Sequence, residues 1–320
     1  MTEWRLHPAP ARARAVSHAV PHAVPHAVLR TTWRTTRRPV PRAVPCAPVH
    51  VVALAVACAL PAGAARAELR WPDWTIGLGA SYASDPYLDG AGRRSRPEAE
   101  PEPYLELSAG PLSISPLGAW LTVHEWPRAP AGLGGDGSAP IEESPWGLSL
   151  DLFVDVDSGY RDQGDDTVFA GMDARGADTS LGLWAEGLTP IGLFSASLAT
   201  EVGGGSGGRT ASLGWGVPLR SGERVEAYAD VGVEWLSGAL VRHDYGVRAN
   251  EVRDGRPAWA PGATLVPRAG LGVEIALRPR WSLFGLLDVS RRPDAIRRSP
   301  LTDDARTDFA VEAGVLFSSD

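Results

Sequence analysis

The sequence predicts an all-β fold: a closed antiparallel transmembrane β-barrel of about twelve strands, with ten as the alternative, preceded by a signal peptide. Three observations predict it. Side chains alternate with a period of two in segments of about ten residues, the length of a tilted membrane strand. Short and long connections alternate along the chain, and a secretory signal pattern precedes the first predicted strand.

The alternation is clearest between Arg224 and Trp235. One face of this segment carries Val225, Ala227, Ala229, Val231, Val233 and Trp235, and the other carries Arg224, Glu226, Tyr228, Asp230, Gly232 and Glu234. Successive side chains of a strand point to opposite faces, so the segment has one apolar and one polar face. Related patterns begin at Trp74, Leu148, Ala211, Ala269 and Phe309, with Phe153 as an exception on a polar face.

The composition of the polar rows indicates which face points outward. They are rich in glycine and carboxylates, which suit the lining of a wet lumen better than the coat of a soluble sheet. Aromatic residues cluster near strand ends, as interfacial girdles do; they are Trp74, Tyr82, Trp146, Trp235, Trp281, Phe309 and Phe317. We therefore expect the apolar rows to contact lipid.

The connections also follow the pattern of outer-membrane barrels. Short turns are predicted at Thr189-Pro190, at 219–223 and at 278–279, and long polar connections at 84–101, 157–177, 202–207, 236–261 and 292–307. Short turns face the periplasm and long loops face outward in such barrels. Residues 102–123 form either one strand or three short ones, and we favour three, which gives twelve strands. No segment of the region has a sustained helical period.

The chain divides at about residue 67. Residues 1–67 are expected to be a low-complexity n-region and a secretory signal peptide that is removed, and residues 68–320 the barrel. The apolar run 49–60 follows several arginines and precedes Ala65-Arg66-Ala67, a signal-peptidase pattern. Both cysteines, Cys46 and Cys58, lie in this leader.

Charge excludes one class of partner. The chain has no lysine, and residues 68–320 carry 22 arginines and 37 acidic residues, a formal charge of −15. Nucleic-acid binding needs a basic footprint, so we expect none.

The C-terminal third resembles the MipA/OmpV family of outer-membrane proteins. The resemblance rests on Tyr245-Gly246-Val247, on the segment 255–263 with Pro257, Trp259 and Pro261-Gly262-Ala263, on Arg280-Trp281-Ser282-Leu283, and on Ser299-Pro300-Leu301. It is clear over 224–317 and diffuse over 74–223. Arg280 stands where the family has His, and Trp259 where it has Tyr. The chain ends Phe317-Ser318-Ser319-Asp320, whereas barrels usually end on the aromatic residue.

The resemblance implies a role. The family's named member is similar to a scaffold that bridges a lytic transglycosylase and a synthase at the outer membrane. We therefore expect a structural or scaffolding protein of the outer membrane without catalytic activity. The expected partners are outer-membrane lipid, lipopolysaccharide and peptidoglycan-modifying enzymes. A small cation-preferring channel for polar solutes is the alternative, and a lipid-modifying barrel enzyme is a second alternative.

Several candidate catalytic, metal-binding and phosphate-binding groups have simpler structural interpretations. The inward carboxylates should line the lumen rather than form a catalytic pair, and an open lumen would favour cations; they are Asp151, Asp155, Glu186, Glu226, Asp230, Glu234, Glu274, Asp288 and Glu312. The acidic loop with Asp155, Asp157, Asp162, Asp165 and Asp166 fails the EF-hand spacing. The glycine-rich run 203–208 lacks the Lys of a phosphate loop.

Two further groups could carry function. His243, with Asp244 and Ser237, invites comparison with barrel lipases, whose Ser, His and polar group must converge. Arginines of the predicted outer loops could bind lipopolysaccharide phosphates through bidentate bonds, or they could be ordinary solvated loop residues; they are Arg93, Arg94, Arg96, Arg291, Arg292, Arg297 and Arg298. We expect no catalytic residue, metal ligand or cofactor site.

Overall fold

A closed barrel of twelve antiparallel strands forms the protein. The computed structural model describes residues 73–88, 91–93, 99–109, 111–116, 118–126, 147–157, 168–175, 178–203, 205–222 and 224–319, so the predicted leader lies outside the described residues. The strands are β1 (Asp73–Ala83), β2 (Ala99–Ala109), β3 (Leu112–Ser115), β4 (Gly118–Trp126), β5 (Gly147–Asp157), β6 (Asp178–Thr189), β7 (Gly192–Gly203), β8 (Arg209–Arg220), β9 (Val225–Leu236), β10 (Thr264–Arg278), β11 (Trp281–Arg291) and β12 (Thr307–Ser318).

Each strand pairs with its neighbours in the sequence, and β12 closes the barrel by pairing with β1. At this seam, Ile76 lies opposite Phe317 and Ala80 opposite Ala313. The prediction of twelve strands is confirmed, and so is the division of 102–123 into three strands.

The apolar rows lie on the outside of the barrel. Leu78, Leu198 and Leu213 expose 64%, 63% and 62% of their surface, whereas Asp151 and Glu312 on the opposite rows expose 3% each. A soluble barrel would bury the leucines, since burial of one such side chain stabilises a fold by about 1.5–3 kcal/mol. The exposed rows therefore form the surface that contacts lipid.

Strand β2 has a short partner on one side. Strand β3 has four residues, fewer than half of the nine or so that a membrane strand needs. It pairs with β2 only at Leu107, Ser108 and Ala109. Among the described residues, the pairing of β2 with β3 ends at Leu107.

Two prolines lie along the edge of β2 that faces β3. Ala109 and Leu112 flank a two-residue hairpin connection and so form a hydrogen-bonded pair. The backbone groups of the odd-numbered residues of β2 therefore point toward the edge, where Pro101 and Pro103 have no N–H to donate. The two prolines therefore remove no hydrogen bond between β2 and β1. They also make this edge less able to pair with another strand.

The two ends of the barrel differ. The chain enters β1 and leaves β12 at the end that also carries the short hairpins at 110–111, 190–191 and 279–280. The long connections 84–98, 158–177, 237–263 and 292–306 all lie at the other end. Short turns and chain ends mark the periplasmic side, so the predicted alternation is confirmed from β5 to β12. Before β5 it fails, since the long connection 127–146 lies at the periplasmic end and the short connection 116–117 at the outer end.

The outer connections contain helices that the sequence analysis did not predict. Helix α1 spans Gly238–Tyr245, a 3-10 turn spans Ala249–Glu251, and helix α2 spans Asp294–Arg297. Ser237 caps α1, since its Oγ accepts from the Leu240 N–H at 3.4 Å. With two turns, α1 is too short for a hydrophobic period to stand out.

Within the described residues, every helix is too short or too polar to cross a membrane.

Candidate functional site

The interior of the barrel carries the predicted carboxylates. All nine lie on the rows opposite the exposed apolar side chains, five of them buried: Asp151, Asp155, Glu186, Asp288 and Glu312. The other four, on β9 and β10, are half-buried, and Glu226 lies directly opposite Glu274. The sequence analysis missed Glu100, Glu102 and Glu106, which form the inner row of β2. The sequence signal that could have identified these glutamates is their alternation with Pro101, Pro103 and Leu105 along β2.

One cation lies among these carboxylates. Arg268 of β10 points inward, and its guanidinium interacts electrostatically with Glu234, Asp288 and Asp230. The Arg268 side chain fits among these carboxylates because glycines lie beside it: Gly232 is opposite Arg268, and Gly270 is opposite Asp288. A Cβ at Gly270 would lie 2.3 Å from a carboxylate oxygen of Asp230, so the missing side chains provide the space for the cluster.

Large side chains fill another part of the lumen. Phe284, Leu286 and Leu316 form a buried cluster against Tyr104 and Tyr228. The rings of Tyr104 and Phe284 meet edge to face with centroids 5.0 Å apart. The buried members expose 3–6% of their surface, so this part of the interior is packed rather than open to water.

Glycines on the facing strands accommodate the aromatic rings. A Cβ at Gly272 would lie 2.2 Å from the Tyr228 ring, and a Cβ at Gly182 would lie 2.3 Å from the Phe153 ring. Phe153, the exception to the predicted alternation, is therefore an inward residue that packs over a glycine. The glycines of the inner rows therefore leave room for aromatic rings as well as lining a water-filled space.

A cap of ordered loops covers the outer end of the barrel. Buried Val168, Phe169, Met172, Val247 and Leu301 form one cluster. Leu236, Leu240, Val241, Tyr245 and Ile296 form a second, and Tyr87 packs against both. These residues come from four outer connections, so the loops are held together by a small core of their own.

A buried ion pair joins the loops of this cap. Arg175 Nη2 donates to Glu251 Oε2 at 2.7 Å, and both side chains are at most 1% exposed. Glu251 also accepts from the backbone N–H of Arg248 at 2.8 Å and of Asp173 at 3.2 Å. Burial alone would raise the pKa of Glu251, but these hydrogen bonds and the charge of Arg175 together lower it below its ordinary value.

Arg256 forms a second connection across the cap. Its guanidinium donates to the carbonyl oxygens of Val168 at 2.7 Å, Ala170 at 3.0 Å and Glu251 at 2.8 Å. Desolvation and the neighbouring Arg253 lower the pKa of Arg256. Sequence reasoning did not single out Arg175, Glu251 or Arg256, because their partners are up to 88 residues away in the sequence.

Arg292 does not lie on the surface, where it could have bound lipopolysaccharide phosphates. Arg292 is 4% exposed and forms ion pairs with Asp303 and Asp308. Burial alone would lower the pKa of Arg292, but these two carboxylates raise it above its ordinary range. Arg297 and Arg298 pair with Asp294 at 2.7 Å and 3.1 Å, whereas Arg93 and Arg291 are exposed. Arg94 and Arg96 lie outside the described residues.

The structure does not assemble Ser237, His243 and Asp244 into a catalytic triad. His243 Nδ1 lies 3.2 Å from Oδ1 of its own neighbour Asp244. Ser237 Oγ accepts the backbone N–H of Arg209 at 2.9 Å as well as that of Leu240. Six residues along a helix separate Ser237 from His243 by about 9 Å. Ser237 therefore serves as a helix cap.

The remaining candidate groups lie partly outside the described residues. Asp162, Asp165 and Asp166 lie outside the described residues, as does Gly204 of the glycine-rich run. Within the described residues, no group of three or more His, Cys, Asp or Glu side chains is arranged to hold a metal ion.

The fold and its surfaces define a class of protein. A closed twelve-stranded barrel with lipid-facing apolar rows, interfacial aromatic residues and an acidic interior is an outer-membrane β-barrel protein. The profile of the family described as MltA-interacting protein MipA matches residues 76–318. The chain therefore belongs to the MipA family and is located in the outer membrane, as the C-terminal motifs predicted.

Solved structures with a similar fold are distant in sequence. An outer-membrane channel from Pseudomonas putida F1 is 10% identical with a TM-score of 0.37, over 81% of this chain and 99% of that one. A loop-deletion mutant of OmpT, an outer-membrane protein of Vibrio cholerae, is 6% identical with a TM-score of 0.34, over 77% and 98%. No function is transferred at these scores. No curated protein matches the chain.

Proposed function

We propose that the protein is a non-catalytic structural component of the outer membrane that holds peptidoglycan-modifying enzymes at its periplasmic end. The observation that carries the proposal is the family match over 76–318, because the family is described by its interaction with MltA. The match spans the whole barrel, so the proposed role belongs to the barrel as a unit.

The geometry supports a rigid rather than a catalytic body. The outer end is covered by a cap with its own core and the buried Arg175–Glu251 pair. Part of the lumen is filled by the cluster around Phe284, and Ser237 is engaged as a helix cap. A partner enzyme in the periplasm would meet the short hairpins between the strands.

Site-specific photo-crosslinking in cells tests this proposal. A crosslinking amino acid is placed at Ile191 or Ser221 in the periplasmic turns, and at Pro257 or Asp304 in the outer loops as matched controls; all four positions are exposed. We expect adducts with peptidoglycan-modifying enzymes from the periplasmic positions alone. Adducts from neither face, or equally from both, would contradict the scaffold.

A small cation-preferring channel is the second candidate function. The observation that favours it is the acidic inner rows, which include half-buried Glu226, Asp230 and Glu274 in addition to those of β2. Planar-bilayer recordings with the purified protein test it. A channel of this kind should conduct cations in preference to anions, and Asp230→Asn should reduce that preference. The absence of conductance would eliminate this candidate.

A further inference from the structure

Four exposed arginines lie together at the periplasmic rim. Arg220 ends β8, Arg224 precedes β9, Arg278 ends β10, and Arg280 lies in the turn before β11. The backbone N–H of Ala276 donates to the carbonyl of Arg224 at 2.9 Å, which places Arg224 beside the end of β10. Arg220 lies opposite Ala227, near the start of β9. Two adjacent hairpins thus present one basic patch, which we call the periplasmic arginine patch.

These arginines differ from those of the cap. In the cap, Arg175 and Arg292 form buried ion pairs, and Arg256 binds backbone carbonyls. By contrast, no ion pair joins any of the four arginines of the patch to another described residue. Glu223 lies in the same turn, outside the described residues. The patch is a concentration of positive charge on an acidic protein.

Arg280 adopts a strained backbone conformation. Its φ is +75°, and among the described residues it is the only one other than glycine with a positive φ. The turn has Pro279 before this position, as a type II turn does, and glycine is favoured at the position that Arg280 occupies. The Arg280 carbonyl accepts from the Ser318 N–H at 3.0 Å, which fixes the turn against β12. Retention of a strained residue where glycine fits is typical of functional positions.

Neighbouring aromatic residues place the patch at the membrane surface. Trp281, which follows Arg280, is 46% exposed on the lipid-facing row. Its ring stacks at a tilt on Phe317 with centroids 4.8 Å apart, and Phe317 meets Trp74 at 5.5 Å. Tryptophan belts lie at headgroup level in membranes. Arg278 and Arg280, which adjoin these aromatic residues, therefore lie level with the phosphates of the inner leaflet, to which guanidinium groups can donate two parallel hydrogen bonds.

We propose that the periplasmic arginine patch is a binding site for the phosphate headgroups of anionic phospholipids in the inner leaflet of the outer membrane. The geometry favours lipid over an acidic protein partner because the patch borders the aromatic belt directly. The site does not depend on the scaffold role, so either proposal can fail without the other.

Spin-labelled lipid in reconstituted vesicles tests the site. The full protein is placed in phosphatidylcholine vesicles, and labelled phosphatidylglycerol and labelled phosphatidylcholine are compared by the fraction that the protein immobilises. We expect the wild type to select phosphatidylglycerol. Replacing all four arginines by Gln should abolish the selection, since each basic residue near an anionic surface contributes about fivefold. Gln at Arg209, Arg291, Arg298 and Arg306, four exposed outer arginines, is the matched control.

Arg280→Gly separates lipid binding from folding. This change removes the charge and the backbone strain together, so the variant should unfold at higher urea concentration than the wild type yet select phosphatidylglycerol about fivefold less. Arg280→Lys should keep most of the selection.

Three results would overturn the site. They are equal immobilisation of the two lipids by the wild type, unchanged selection after all four patch arginines are replaced, and equal loss of selection in the outer control. The first result together with a crosslinked acidic protein at Ser221 would point to a protein partner at the patch instead.

Discussion

At the residue scale, the cap depends on a charge that water does not reach. Glu251 accepts from Arg175 and from two backbone N–H groups while its own side chain is fully buried. Removing one member of a buried pair leaves the other charged group without compensation, which costs more than the pair itself contributes. Glu251 therefore holds two outer connections, 158–177 and 237–263, in one arrangement.

Glu251→Gln should loosen the cap. The change leaves Arg175 buried without its counter-charge, and we expect a destabilisation of about 3–5 kcal/mol. Limited proteolysis of the folded barrel in detergent measures it, as faster cleavage in the outer loops with the barrel intact. Arg248→Gln is the control, because its ion pair with Asp173 is half-exposed and such pairs contribute about 1 kcal/mol or less. Equal cleavage of the two variants would contradict the role of Glu251.

The same carboxylate makes the cap sensitive to acid. Since folding lowers the pKa of Glu251 below its ordinary value of 4.5, its stabilisation is complete above pH 4.5 and is lost as the pH falls through the folded pKa. We expect hydrogen exchange of the cap amides, corrected for the intrinsic pH dependence, to accelerate below pH 4.5. Glu251→Gln should show a smaller change over that range. A cap whose protection is constant down to pH 3 would exclude this linkage.

At the element scale, the strands were predictable and the cap was not. The alternation between residues 224 and 235 predicted β9 to within one residue, because lipid and lumen impose a period of two on every strand. The segments Gly110-Pro111 and Pro116-Leu117-Gly118 mark the two ends of the short β3. The Arg175–Glu251 pair joins residues 76 apart, and no local pattern encodes such a contact. Helix α1 was missed because it has only two turns.

Replacing a glycine that faces an aromatic ring by alanine should lower the stability of the barrel. Gly182→Ala on β6 would place its Cβ 2.3 Å from the Phe153 ring. Overpacking of this kind costs about 1–3 kcal/mol, and urea unfolding of the refolded barrel measures it. Gly187→Ala on the same strand is the matched control, since its nearest neighbour would be Leu148 at 3.9 Å. A similar loss of stability in both variants would mean that strand propensity, not ring packing, determines the cost.

The prolines of β2 should prevent pairing between copies of the barrel. Replacing Pro101 and Pro103 by Val restores two N–H donors on an edge without a described strand partner. We expect the double variant to form dimers that persist in unboiled gel samples. Ala99→Val is the control, because this edge position already has an N–H. A double variant that remains monomeric would show that the edge is covered in another way.

At the scale of the whole molecule, one assignment supports all the others: the apolar rows contact lipid and the carboxylate rows face inward. The cap, the glycine-accommodated rings and the Arg268 cluster all require that orientation, since each lies inside the wall or over its outer end. The cost of a charge at different depths along one strand measures this orientation directly.

Leu198→Arg and Ile191→Arg measure this depth. Leu198 lies midway along β7 and Ile191 in the periplasmic turn before it, and they expose 63% and 67% of their surface. An arginine costs about 2–4 kcal/mol at the bilayer midplane and about 0–1 near the interface. Urea unfolding in lipid vesicles should therefore show a large loss for Leu198→Arg and little for Ile191→Arg. In a soluble barrel both exposed positions would tolerate arginine, so a small effect at Leu198 would contradict the membrane orientation.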